Sequence, residues 1–135
     1  MPLLFDTGPL YALADADDAW HERVRDLVDA RREPLLVPVT VLPEVTYLLH
    51  RRLGPEVERQ FVGSLVAGEL VVEELRREDV ARAEEVLSSF PRIGFVDATV
   101  LAIAERLRLP ALVTTDRRHF AALRPRHVDA LELLP

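Results

Sequence analysis

Ala111-Leu112-Val113-Thr114-Thr115-Asp116 is a short apolar run that ends in two hydroxyls and a carboxylate, and Leu3-Leu4-Phe5-Asp6-Thr7-Gly8 near the start has the same form. Apolar runs of this length without polar alternation read as strands covered on both faces. Three further runs fit the same reading, at Leu35–Val37, Leu70–Val72 and, less regularly, Val128–Leu133. Between them the apolar residues fall at helical spacing. Trp20, Val24, Leu27 and Val28 form one stripe, Val57, Phe61 and Leu65 a second, and Val80, Ala83, Leu87 and Phe90 a third. Ala98 to Ala104 is apolar except at Thr99, which predicts a helix buried on most sides.

Strands alternating with helices argue for a parallel sheet covered on both faces. Pro34, Gly54-Pro55, Gly68, Pro91, Pro110 and Pro125 fall where the elements should turn. With 135 residues, no repeat and no linker, the chain reads as one domain over residues 1–135. In open parallel sheets the functional crevice lies at the carboxyl ends of the strands. Asp6 and Asp116 each end a strand, so both carboxylates are expected on one edge.

Composition narrows the chemistry. There is no cysteine, which excludes disulfides, thiolate metal sites and a Cys nucleophile. There is no lysine either, so all 17 basic residues are arginine, and no mechanism needing a Schiff base or a P-loop lysine is open. The 23 acidic residues leave a net charge of −6, unlike that of a general nucleic-acid coat protein. Asp6 interrupts the apolar N-terminal stretch, no basic segment precedes it, and no 18-residue apolar run exists to cross a membrane. A soluble cytoplasmic protein is the expectation.

Two more acids flank apolar helical segments. Glu44 follows Pro43 in Val41-Leu42-Pro43-Glu44-Val45, where proline suits a first helical turn. Asp97 lies in Phe95-Val96-Asp97-Ala98-Thr99, just before the apolar helix. Taken singly, Asp97 reads equally as an N-cap and Glu44 as a complement to the helix dipole. Taken together, four carboxylates among apolar residues must be paired, protonated or bound to a metal. With no lysine to neutralise them, a hard divalent cation is the simplest solution, and all-oxygen ligands suit Mg2+ or Mn2+ better than Zn2+. His21, His50, His119 and His127 show no metal-ligand spacing, and His119 reads as a surface side chain.

These residues resemble a known family. Leu3-Leu4-Phe5-Asp6-Thr7-Gly8-Pro9-Leu10-Tyr11-Ala12-Leu13, Glu44, Phe95-Val96-Asp97-Ala98 and Thr114-Thr115-Asp116-Arg117-Arg118-His119-Phe120 are similar, in order and spacing, to the PIN-domain ribonucleases, and most of all to VapC-type toxins of bacterial toxin–antitoxin pairs. The resemblance implies a three-layer α/β/α sandwich around a short parallel sheet, and Mg2+- or Mn2+-dependent hydrolysis of RNA phosphodiesters. It implies that Asp6 and Asp97 are the central metal ligands. Glu44 would complete the shell or hold a water, and Asp116 would bind a second ion or a water. Thr7 and Thr114 match the hydroxyl positions beside the first and last acids, with Thr115 competing for the second of these. A cognate antitoxin is implied as a partner that silences the site.

Local positive charge must serve RNA on an acidic chain. Arg51-Arg52, Arg76-Arg77 and Arg124-Pro125-Arg126 read as solvated faces, whereas Arg117 and Arg118 directly follow Asp116 and are candidates to hold flanking phosphates. Tyr11 and Trp20 are candidates to stack on bases, although Trp20 at helical spacing reads better as a core or interface anchor. The stripes around Trp20, Val57 and Phe61 would serve homodimer or antitoxin contacts if exposed. Receiver domains and haloacid-dehalogenase-type phosphatases also place acids at strand ends, but both need a lysine. A structure-specific DNA nuclease needs clamping elements for which 135 residues leave little room. A module whose acids only bind a basic peptide, or which binds RNA without cleaving it, is the non-catalytic alternative.

Overall fold

The computed structural model describes residues 1–135. In chain order the elements are β1 (Leu3–Leu4), α1 (Thr7–Ala14), α2 (His21–Ala30) and β2 (Leu35–Pro38), then a 3-10 turn at Val39–Val41. There follow α3 (Leu42–Leu53), α4 (Pro55–Ala67), β3 (Val71–Glu73), α5 (Arg77–Ser89), α6 (Phe95–Arg106), β4 (Ala111–Val113), α7 (Arg117–Ala122) and β5 (Glu132–Leu134).

β1 pairs in parallel with β2, β2 with β3, and β4 with β5. A parallel bridge between Phe5 and Val113 joins the two ladders, so the strands run 3-2-1-4-5. The chain steps outward from β1 to β3, then crosses back to β4 and continues to β5. Right-handed crossovers place the helices of these two directions on opposite faces of the sheet. The packing agrees: α1 packs on α2 and α3, α3 on α4, and α5 on α6. The direction reverses between β1 and β4, the place where parallel sheets open their binding crevice.

The inner strands are apolar because neither face meets water. Leu3, Leu4, Phe5, Val37, Leu112 and Val113 are buried, and all seven residues from Ala98 to Ala104 are buried in α6. Edge strand β3 differs, with Val71 and Val72 exposed. β3 begins one residue later than the apolar run Leu70–Val72, and β5 covers only the end of Val128–Leu133. Residues before β5 turn instead, where His127 Nε2 lies 2.5 Å from the Leu109 carbonyl oxygen.

The stripe expected on α5 is rotated. Val80 is exposed, and the buried face carries Asp79, Ala83 and Val86. Asp79 sits in an apolar position because Arg106 Nε lies 3.1 Å from both its oxygens and the Arg76 N–H donates to it at 2.9 Å. Counting apolar residues cannot reveal a core position filled by an ion pair. Tyr11 is also buried, with its hydroxyl on Asp15, so it is not available to stack on a base. Trp20 packs against the core, with Arg23 lying 3.9 Å over its ring. Val57 and Phe61 border an apolar groove of about 430 Å3 shared with Leu10, Leu13 and Val28. No helix is long and apolar enough to cross a membrane.

Candidate active site

The ends of β1 and β4 are fastened to each other. The Asp6 N–H donates to the Val113 carbonyl at 2.9 Å, which sets Asp6 at the crevice with its side chain buried. Thr114, fully buried at the end of β4, donates its hydroxyl to Asp6 Oδ2 at 2.9 Å. The Thr114 Oγ1 in turn accepts the Asp116 N–H at 2.9 Å. Thr114, rather than Thr115, therefore serves the acids. Thr115 faces α1 instead, and a Cβ on Gly8 would stand 2.1 Å from its Oγ1. Gly8 is the residue that lets α1 start this close to β4.

Glu44 lies in the first turn of α3 and is exposed; Thr7 donates to its Oε1 at 2.8 Å. Thr40 and Thr99 lie 2.8 Å apart through their hydroxyls, tying the turn before α3 to α6. Asp97 proves not to be an N-cap. Helix α6 begins at Phe95 with Gly94 as its cap, so Asp97 falls inside the first turn and its carboxylate caps nothing. Asp116 is the capping acid, accepting the His119 N–H at the start of α7.

His119 is the residue that sequence reasoning passed over. It is partly exposed, but its Nδ1 lies 2.7 Å from Asp116 Oδ2 and 3.7 Å from Asp97 Oδ2. Donor atoms of Asp97, Asp116 and His119 all fall within 4.8 Å of one another. The available signal was Asp-x-x-His: once Asp116 caps a helix, the third residue of that helix comes back beside it.

The electrostatics explain what this arrangement lacks. No arginine pairs with Asp6, Glu44, Asp97 or Asp116, in contrast to buried Asp79 with Arg106. Burial pushes the Asp97 carboxyl up to about 6, the charges of Asp6 and Asp116 add to the rise, and His119 offsets part of it. Burial also raises Asp6, against the hydrogen bonds from the Thr7 backbone and the Thr114 side chain. A cluster of oxygen donors that resists its own negative charge fits a divalent cation. The expected phosphate-binding pair is split. Arg117 reaches the Pro135 carbonyl and lies 5.6 Å from the Trp20 ring, while Arg118 borders a cleft with His119.

A PIN-domain family model matches residues 3–124. The chain belongs to the PIN-domain family. This PIN domain is 31% identical over 125 residues to Ribonuclease VapC26 of Mycobacterium tuberculosis, a match covering 91% of this chain and 93% of that protein, which places it among the VapC-type members. Its fold is similar to that of M. tuberculosis VapC20, a sarcin–ricin-loop-cleaving toxin, with a TM-score of 0.81 at 24% identity, covering 93% of this chain and 98% of that one. It is also similar to a chain of the Rickettsia felis VapBC2 complex bound to a promoter DNA fragment, with a TM-score of 0.71 at 16% identity and full coverage of both chains.

Proposed function

We propose that this VapC-type PIN domain, acting as a single nuclease domain over residues 1–135, is a Mg2+- or Mn2+-dependent endoribonuclease and the toxin of a VapBC-type pair. The observation that carries the metal-dependent reading is Asp97. It lies beside Asp6 and Asp116 without an arginine partner and is raised to about 6 by burial and their charges. Asp6, Asp97, Asp116 and Glu44 are the residues that would hold the cation. When bound, it would act as a Lewis acid on a phosphate oxygen and lower the pKa of water.

The chain's own groups have separable tasks. Thr114 fixes the Asp6 carboxylate and Thr7 fixes Glu44. Glu44 or Asp116 orients the attacking water, Asp116 being held by His119. In-line attack at phosphorus with departure of the 3′-oxygen leaves 5′-phosphate and 3′-hydroxyl ends. The 2′-hydroxyl is not the nucleophile, so preference for RNA resides in binding. The VapBC fold neighbour supports a cognate antitoxin as partner, and a cytoplasmic site of action belongs to the same reading.

The test is cleavage of end-labelled single-stranded RNA. Activity in Mg2+ or Mn2+, lost in EDTA and lowered by orders of magnitude in Asp6→Asn and Asp97→Asn with the fold retained, is the expected result. Undiminished cleavage in EDTA, or in either variant, overturns the metal-dependent reading.

A further inference from the structure

Arg92 and Arg118 come from different parts of the chain and meet across one cleft. Arg92 lies in the turn between α5 and α6, and Arg118 lies on α7. With Ser89, Phe90, Ile93 and His119 they line a cleft of about 410 Å3. His119, which lines the cleft, is the same imidazole that sits against Asp116 and Asp97. The cleft thus adjoins the carboxylate cluster through His119.

Both guanidiniums are exposed and neither pairs with a carboxylate. That sets them apart from Arg59, Arg76, Arg82, Arg106 and Arg126, each held by an acid. On a chain of net charge −6, two unpaired arginines beside four acids provide local attraction for an anion next to a site that otherwise repels one. A guanidinium presents a planar fork that matches phosphate oxygens. The partly buried Phe90 ring borders the same cleft and offers an apolar surface on which a base can stack.

We propose that this cleft is the binding site for the nucleotide next to the scissile bond of single-stranded RNA, with Arg92 and Arg118 holding its phosphate and Phe90 meeting its base. The inference rests on the nuclease reading and adds a strand path from the acids past His119 into the cleft. Arg92, which adjoins none of the acidic motifs in sequence, becomes a substrate-binding residue. Sequence-specific hydrogen bonding is not required of it; the site recognises phosphate and a π-face.

The experiment pairs a binding assay with a kinetic one. A fluorescent single-stranded RNA is titrated in EDTA across a salt series, and steady-state cleavage is followed in Mn2+. Arg92→Ala and Arg118→Ala should each weaken binding several-fold and reduce the magnitude of the log–log salt slope by about 0.7, the value for one phosphate contact on a single strand. KM should rise several-fold with kcat little changed. Arg92→Lys should restore the slope, and Arg59→Ala on α4 should leave slope and KM as in the wild type. Unchanged slopes in both Arg92→Ala and Arg118→Ala overturn the cleft. So does an equal loss in Arg59→Ala. If the wild type fails to cleave, the nuclease reading falls, while the salt series still decides whether the cleft holds RNA.

Discussion

Thr114 Oγ1 stands 2.9 Å from Asp6 Oδ2, although the two residues are 108 positions apart in the chain. The hydroxyl has a single proton and gives it to Asp6, so it meets the Asp116 N–H as an acceptor. One small side chain thereby sets the spacing of the first and last acids and lowers the cost of charging Asp6. Thr114→Val removes both bonds at nearly constant volume. Partners of this kind are typically worth about 10–100-fold in metal affinity or activity. Mn2+ affinity and cleavage rate should fall by that order in Thr114→Val and much less in Thr115→Val; equal effects would return the choice between the two threonines to open.

Asp97 gives a pH prediction with a definite sign. In the metal-free protein its folded pKa is about 6, against an ordinary 3.8 in the unfolded chain. Between these values the folded form holds a proton that the unfolded form has lost, so stability falls as pH rises from about 4 to about 6. Asp97→Asn has no such charge to bury. In EDTA the variant should match the wild type near pH 4 and exceed it by about 1–3 kcal/mol at pH 7. It should also gain little from Mn2+, whereas the wild type gains about 2.7 kcal/mol at a hundredfold excess over Kd. Thermal melts at the two pH values check this, and a mutant–wild-type difference independent of pH contradicts it.

His119 touches Asp116 and faces Asp97, so its loss acts on both. Removing an imidazole that offsets the Asp97 shift leaves that carboxyl still harder to charge. His119→Ala should weaken Mn2+ binding about tenfold at neutral pH, the scale seen for neighbours that orient metal ligands. Calorimetric titration with Mn2+ reads this directly. Binding as tight as in the wild type would leave His119 with no part in the site.

At Gly8 two effects compete. Alanine is the better helix former by about 1 kcal/mol, and Gly8 lies in the first turn of α1. The added Cβ, however, would stand 2.1 Å from Thr115 Oγ1, and overpacking of this kind costs about 1–3 kcal/mol. Gly8→Ala should therefore melt below the wild type, and adding Thr115→Ala should recover most of the loss. A Gly8→Ala protein as stable as the wild type would mean that Thr115 turns away at little cost.

The site was legible in the sequence to the extent that strand ends fix it. Asp6 and Asp116 follow apolar runs, and a parallel sheet sends the ends of adjacent strands to one edge, where the structure places both. Other features depend on rotations that spacing does not specify. The turn of α7 about its axis sends Arg117 toward Trp20 and Arg118 toward the cleft, although they are neighbours in sequence. The start of α6, three residues earlier than an Asp97 cap would place it, changes Asp97 from a cap to a carboxylate with no capping bond. Asp79 on the buried face of α5 depends on Arg106 arriving from α6, a tertiary event invisible in either segment alone.

Because β1 lies between β2 and β4, the first strand made is completed by one of the last. A nascent chain carries Asp6 early, then Glu44 and Asp97, yet none of these acids meets Thr114 or Asp116 until β4 has left the ribosome and docked. Every truncated product ending before residue 111 lacks the tie that positions Asp6 and the acid that completes the cluster. For an enzyme that degrades RNA, the acidic cluster is therefore assembled only when synthesis of the chain is nearly complete.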